Sequence, residues 1–151
     1  MDTKPIRSLL FLLLLGFSAR SKPDFTTVDG KAGQFSQGKW QLINYWATWC
    51  GPCREEIPDL NEFAKANTDI KIYGVNYDGL EGEALTAAIA EMGITFPSLN
   101  ADPAPQLGVP RPQVLPTTLL LDANGKVQAT LTGPQTRESL ASAIEKAAKQ
   151  H

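Results

Sequence analysis

Apolar and polar residues alternate along this chain in two distinct rhythms. "QLINYW" at 41–46 and "IKIYGVNY" at 70–77 are continuous, β-prone runs, the pattern of strands buried on both faces. Between and after them the spacing becomes helical. Ile57, Leu60 and Ala64 recur on one face with Phe63 alongside, and Leu85, Ala88, Ile89 and Met92 form a second stripe that Gly93 should stop. Pro58 falls inside the first helix and should kink it. Strand, helix, strand, helix in that order predicts a parallel sheet. Near the C-terminus "TTLLLD" and "KVQATL" flank Ala123-Asn124-Gly125, and Asn-Gly is a strong hairpin signal. Thr136 can then N-cap a last helix, with Glu138 in its first turn and an apolar stripe of Leu140, Ile144, Ala147 and Ala148. Two stretches lack a period. "DFTTVDGKAGQFSQGKW" is turn-rich with short extended pieces, and "FPSLNADPAPQLGVPRPQ" is proline-crowded and irregular, with one short strand over 96–99.

The N-terminus has another character. Lys4 and Arg7 precede an apolar run from Leu9 to Phe17, followed by the small and polar residues Ser18 to Ser21. This is a signal-peptide layout, with cleavage after Ser18 or Ser21. The run is shorter than the roughly 17 to 25 residues that cross a hydrocarbon core, and no cysteine follows it to carry a lipid. Residues 1–21 therefore read as a signal peptide or a short membrane anchor, and 22–151 as one domain that is exported. Its 14 Lys and Arg are scattered among 16 Asp and Glu, without a basic run, so nothing here attracts nucleic acid.

Export changes the meaning of Cys50 and Cys53, the only two cysteines. A stabilising framework would use several widely spaced pairs, whereas a bond across two residues closes almost no loop. Zinc needs about four ligands, and only His151 at the far end could join these thiols, so no metal is expected. With no other His as base, Cys-His hydrolysis fails too. A working dithiol fits better. Cys50 stands where a buried strand turns into a helix, so its thiolate would face unpaired N–H groups and the positive end of the helix dipole. Cys53 lies one turn deeper, able to resolve a mixed disulfide, and Pro52 lacks an N–H where none is needed. On this reading only the first sulfur is exposed. Trp49 reads as a wall of the active-site surface.

The segment "LINYWATWCGPCREEIP", with "DFTTVDGK", "YGVNYD" and "LPTTLLLDANGKV", resembles the thioredoxin superfamily, and within it the TlpA-like thiol-disulfide reductases of the bacterial periplasm, which include the cytochrome c maturation thioredoxins. The resemblance spans about residues 24 to 148. It implies an α/β, thioredoxin-like fold: a central mixed sheet flanked by helices, with a C-terminal β-hairpin followed by a helix. It further implies that Pro116 is cis and faces the dithiol, and that Leu115 pairs through its backbone with an extended substrate alongside Trp49, Gly51 and Pro52. Asn44 stands where thioredoxin has a buried Asp. The subfamily often has this Asn together with an acid at the position of Glu56, which moves the proton-handling role to Glu56. "PRPQVL" before Pro116 is longer than the family's usual spacing and leaves that loop's path open.

The implied activity is reduction of disulfides in periplasmic client proteins. A membrane thiol carrier would be the electron donor, and the Cys50–Cys53 pair would need no cofactor. The Gly-Pro dipeptide points to a potential on the order of −270 mV rather than −120 mV. Two alternatives carry other expectations. A redox-inert binding module on the same fold would bury Cys50, and a thiol peroxidase would place its cysteine after a Pro-x-x-x-Thr approach, which this chain lacks.

Overall fold

The computed structural model describes residues 21–150, so the N-terminal apolar run and His151 lie outside it. No helix among the described residues is long and apolar enough to cross a membrane. Four strands form the central sheet in the order β4-β3-β5-β6. β3 (Gln41–Trp46) runs parallel to β4 (Lys71–Asn76), joined by the crossover helix α1 (Gly51–Ala66). On its other side β3 pairs antiparallel with β5 (Thr117–Leu121), and β5 with β6 (Val127–Thr132). The sheet is mixed, as the resemblance implied.

Every residue of β3 is buried because both faces of this strand are covered. Leu42 and Trp46 point into a core shared with α1, α2 (Gly82–Met92) and α4 (Arg137–Ala148), where Ile57, Leu60, Leu85 and Leu140 meet them. Ile43 and Tyr45 point the other way, into a core closed by Phe25 and Phe35 from the N-terminal segment. That segment contains the small hairpin β1 (Phe25–Thr26) and β2 (Ala32–Gly33). Period-two alternation within a strand assigns each side chain to its layer.

Helix ends follow local chemistry. Gly93, at φ 68°, stops α2. Thr136 caps α4 by accepting from Ser139 N, and Ser139 reciprocates to form a capping box, with Glu138 in the first turn as expected. In α4, Ala148 is exposed and Ala143 is turned inward in its place, because the buried stripe follows Leu140, Ile144 and Ala147. α1 continues through Pro58, which is exposed and has no N–H to give the carbonyl one turn before it.

The proline-rich stretch departs from expectation twice. It contains a four-residue helix, α3 (Ala104–Leu107), started by Asp102 accepting from Ala104 N at 2.9 Å and ended by Gly108 at φ 67°. Residues 96–99 form no strand but two isolated bridges, Gly74 with Ser98 and Thr27 with Leu99, since Pro97 has no N–H to extend a ladder. The final hairpin turns through a loop, Asp122 to Lys126, longer than the two residues of Asn-Gly. Asp122 Oδ1 accepts from Asn124 N and Lys126 N, and Gly125 takes φ +80°.

Candidate active site

β3 ends at Trp46, and four residues later Cys50 becomes the N-cap of α1, in extended conformation with Sγ accepting from Cys53 N at 3.2 Å. Cys50 and Cys53 form a disulfide with Cα atoms 5.3 Å apart. The first turn of α1 carries no acid, so no carboxylate in that turn opposes a negative sulfur there. Arg54 fixes the approach to the turn by donating Nε and Nη2 to Thr48 O at 2.9 and 2.7 Å and pairing with Glu91 at 2.5 Å.

Exposure around the pair corrects one expectation. Cys50 is 4% exposed and Cys53 is fully buried, so the first sulfur shows only an edge in the disulfide form. Its side chain turns inward to cap the helix and bond to Cys53, while Gly51 and Pro52 are exposed beside it. Trp49, 65% exposed, stands next to the disulfide in the sequence, and its indole N–H donates to both carboxylate oxygens of Asp78 at 2.9 and 3.1 Å.

Beneath the disulfide lies a buried polar cluster. Glu56, one turn after Cys53, is 2% exposed, in contrast to the exposed Glu55. It accepts from Asn44 Nδ2 at 2.6 Å and from Gln135 N at 2.8 Å. Asn44 also donates to Thr118 Oγ1 at 3.1 Å, as their opposed register on β3 and β5 allows. Burial pushes the Glu56 carboxyl up to about 7, only partly offset by the bonds from Asn44 and Gln135. A carboxyl titrating there can hold or take a proton near neutral pH.

The Leu115-Pro116 bond is cis. Pro116 is buried, and its carbonyl accepts from Gly133 N at 2.9 Å. Leu115 is half-buried and packs against the core cluster that contains both cysteines. Its N–H and C=O form no hydrogen bond among the described residues, so this backbone edge is free to meet an extended chain. The structure thus brings Trp49, Cys50, Cys53 and Glu56 together at the start of α1, from just before its N-cap through its first two turns, with Leu115 against the same core.

Three further residues shape the site: Thr118 and Gln135 around Glu56, and Asp78 behind Trp49. Gln135 contributes a backbone N–H, which no residue pattern announces. Asp78 closes the "YGVNYD" segment, the one signal that pointed toward it.

The family profile that matches residues 19–130 is that of the AhpC/TSA family. Thiol:disulfide interchange protein HelX of Rhodobacter capsulatus is 34% identical over 109 residues, covering 72% of this chain and 60% of HelX. The chain thus spans less than two thirds of HelX. Thiol-disulfide oxidoreductase ResA of Geobacillus kaustophilus is 32% identical over 131 residues, covering 82% of this chain and 74% of ResA. The crystal structure of StoA from Bacillus subtilis superposes with a TM-score of 0.66 at 24% identity, over 80% of this chain and 93% of StoA, a likeness of fold. With the Cys-Gly-Pro-Cys disulfide at the start of α1, the chain belongs to the AhpC/TSA family of thioredoxin-like proteins, among its TlpA-like thiol-disulfide oxidoreductases.

Proposed function

We propose that the chain is exported and reduces disulfides in other exported proteins. The carrying observation is the Cys50–Cys53 pair at the N-terminus of α1 with the buried carboxyl of Glu56 one turn behind it. In the reduced form the Cys50 thiolate attacks one sulfur of a client disulfide. A mixed disulfide forms and the first client sulfur leaves as a thiolate. Cys53 gives its proton to the Glu56 carboxylate and attacks Cys50 Sγ, releasing the second client thiolate and closing the Cys50–Cys53 bond. Two electrons pass to the client, and a membrane thiol carrier restores the dithiol. No cofactor takes part. The client lies extended along Leu115 and Pro116, with Trp49, Gly51 and Pro52 as the exposed surface it meets.

The low exposure of Cys50 favours a second reading, a binding module whose disulfide stays closed. Equilibration of the pair against glutathione, followed by reduction of a disulfide-bearing protein with and without Cys50→Ser, separates the two. A reductase gives a potential on the order of −270 mV and loses activity in Cys50→Ser, whereas a closed module exchanges with neither.

A further inference from the structure

Arg111 takes no part in the steps above, yet it ties together the two segments that flank the disulfide. Its guanidinium lies over the Tyr77 ring, 3.8 Å from the centroid. Nη2 donates to Tyr77 O, and Nε pairs with Asp102 Oδ2 at 3.2 Å. Both partners are anchored. Tyr77 N donates to Trp46 O at 2.8 Å at the end of β3, and the next residue, Asp78, holds the Trp49 indole. Asp102 Oδ1 accepts from Tyr45 Oη at 2.7 Å. Through Tyr77 and Asp78, Arg111 reaches the wall on which Trp49 stands. Through its own backbone it lies five residues ahead of Pro116.

The loop between Val109 and Leu115 depends on such a tie. Pro110 and Pro112 have no N–H, and Arg111, Gln113 and Val114 are exposed. Among the described residues, no other polar contact joins residues 110–114 to a distant part of the chain; Gln113 bonds only to Arg111 O, and Val114 O only to Thr117. Below Arg111 lies a cavity of about 170 Å³ lined by Asn76, Tyr77, Gly79 and Asp102. Apart from the Tyr77 ring beneath it, the guanidinium borders this open space, and its stacking and hydrogen bonds hold the loop. Among the described residues, the two exposed large apolar side chains are Trp49, whose indole Asp78 holds, and Val114, in the loop that Arg111 ties down.

We infer that Arg111 is a positioning residue for polypeptide clients. It sets the gap between the Trp49 wall and the Leu115-Pro116 edge, and so how well an extended client seats its disulfide before attack, while leaving the sulfur chemistry unchanged. This inference rests on the disulfide-exchange reading above. A small disulfide that needs no backbone platform should not sense the gap.

The test compares reduced wild type, Arg111→Ala and Arg111→Lys in single-turnover reactions with a short peptide containing an oxidised cysteine pair and with the small aromatic disulfide DTNB. Arg111→Ala should lose about tenfold in rate constant toward the peptide, through weaker binding, with the DTNB rate and the potential against glutathione unchanged. Arg111→Lys keeps the charge opposite Asp102 but not the stacking plane or the fork of donors, and should fall between. A wild-type peptide rate in Arg111→Ala overturns the inference, as does an equal loss on both substrates. A wild type inert toward both disulfides overturns the exchange reading, and this inference with it.

Discussion

Replacing Glu56 by Gln isolates one buried proton. In the oxidised protein neither cysteine titrates, and the groups bonded to Glu56, the Asn44 amide and the Gln135 N–H, are neutral. Burial raises the carboxyl from its usual 4.5 to about 7. The folded state therefore binds this proton more tightly than the unfolded chain does. The stability it contributes is fully present below the unfolded value and is lost as pH rises through the folded one. Across the span from 4.5 to about 7, at about 1.4 kcal/mol per pH unit, the loss is about 3 kcal/mol. Glutamine has no such proton, but its carbonyl can still accept from Asn44 or Gln135. The unpartnered Asn44 Oδ1 is available to its amide if Asn44 turns over. The stability of wild type minus that of Glu56→Gln should thus fall by about 3 kcal/mol between about pH 4.5 and 7.5. Urea unfolding of both oxidised proteins at closely spaced pH values reads this directly, and contributions from His151 and surface groups cancel in the difference. A difference that stays constant across the window would refute the argument. The same substitution should also change the pH profile of disulfide exchange, because Cys53 would lose its proton acceptor.

Iodoacetamide added to the reduced protein near neutral pH should label Cys50 in preference to Cys53, since Cys50 is the N-cap facing the helix dipole and Cys53 is fully buried; peptide mapping with Cys53 as the main adduct would reverse the assignment. Gly125→Ala should cost about 2 kcal/mol or more, read by denaturant unfolding, because φ is +80° and a Cβ there falls 2.9 Å from the Phe35 backbone; a neutral substitution would mean the turn relaxes freely. Leu60→Ala, at a fully buried position in α1, should destabilise by about 2 to 5 kcal/mol in the same assay, and a loss under about 1 kcal/mol would show that the layer under the dithiol helix collapses to fill the space.

Much of this architecture is local and was readable as such. Two continuous apolar runs and three helical stripes became β3, β4, α1, α2 and α4, because burial on both faces or on one leaves a period that needs no knowledge of neighbours. Cys50 at a strand-to-helix junction, Gly93 as a stop and Thr136 as a cap follow from backbone hydrogen-bonding needs within a few residues. The cis bond at Pro116 was legible only through the family resemblance, since nothing in "VLPTT" distinguishes it from a trans turn. The short helix α3 hid among prolines because its start depends on one Asp102 hydrogen bond.

Tertiary structure alone decided the electrostatics of the site. Whether Glu56 would be solvated or buried could not be settled by its place on α1, because its neighbour Glu55 has the same chemistry and points to water. What distinguishes them is that Glu56 faces Asn44 on β3 and a backbone N–H from residue 135, groups 12 and 79 positions away. Arg111 likewise gains its meaning from Tyr77 and Asp102, brought to it by separate parts of the chain. Periodicity records which side of an element is apolar, but a proton affinity or a loop position depends on the distances and dielectric set by distant segments, and those exist only once the layers have packed.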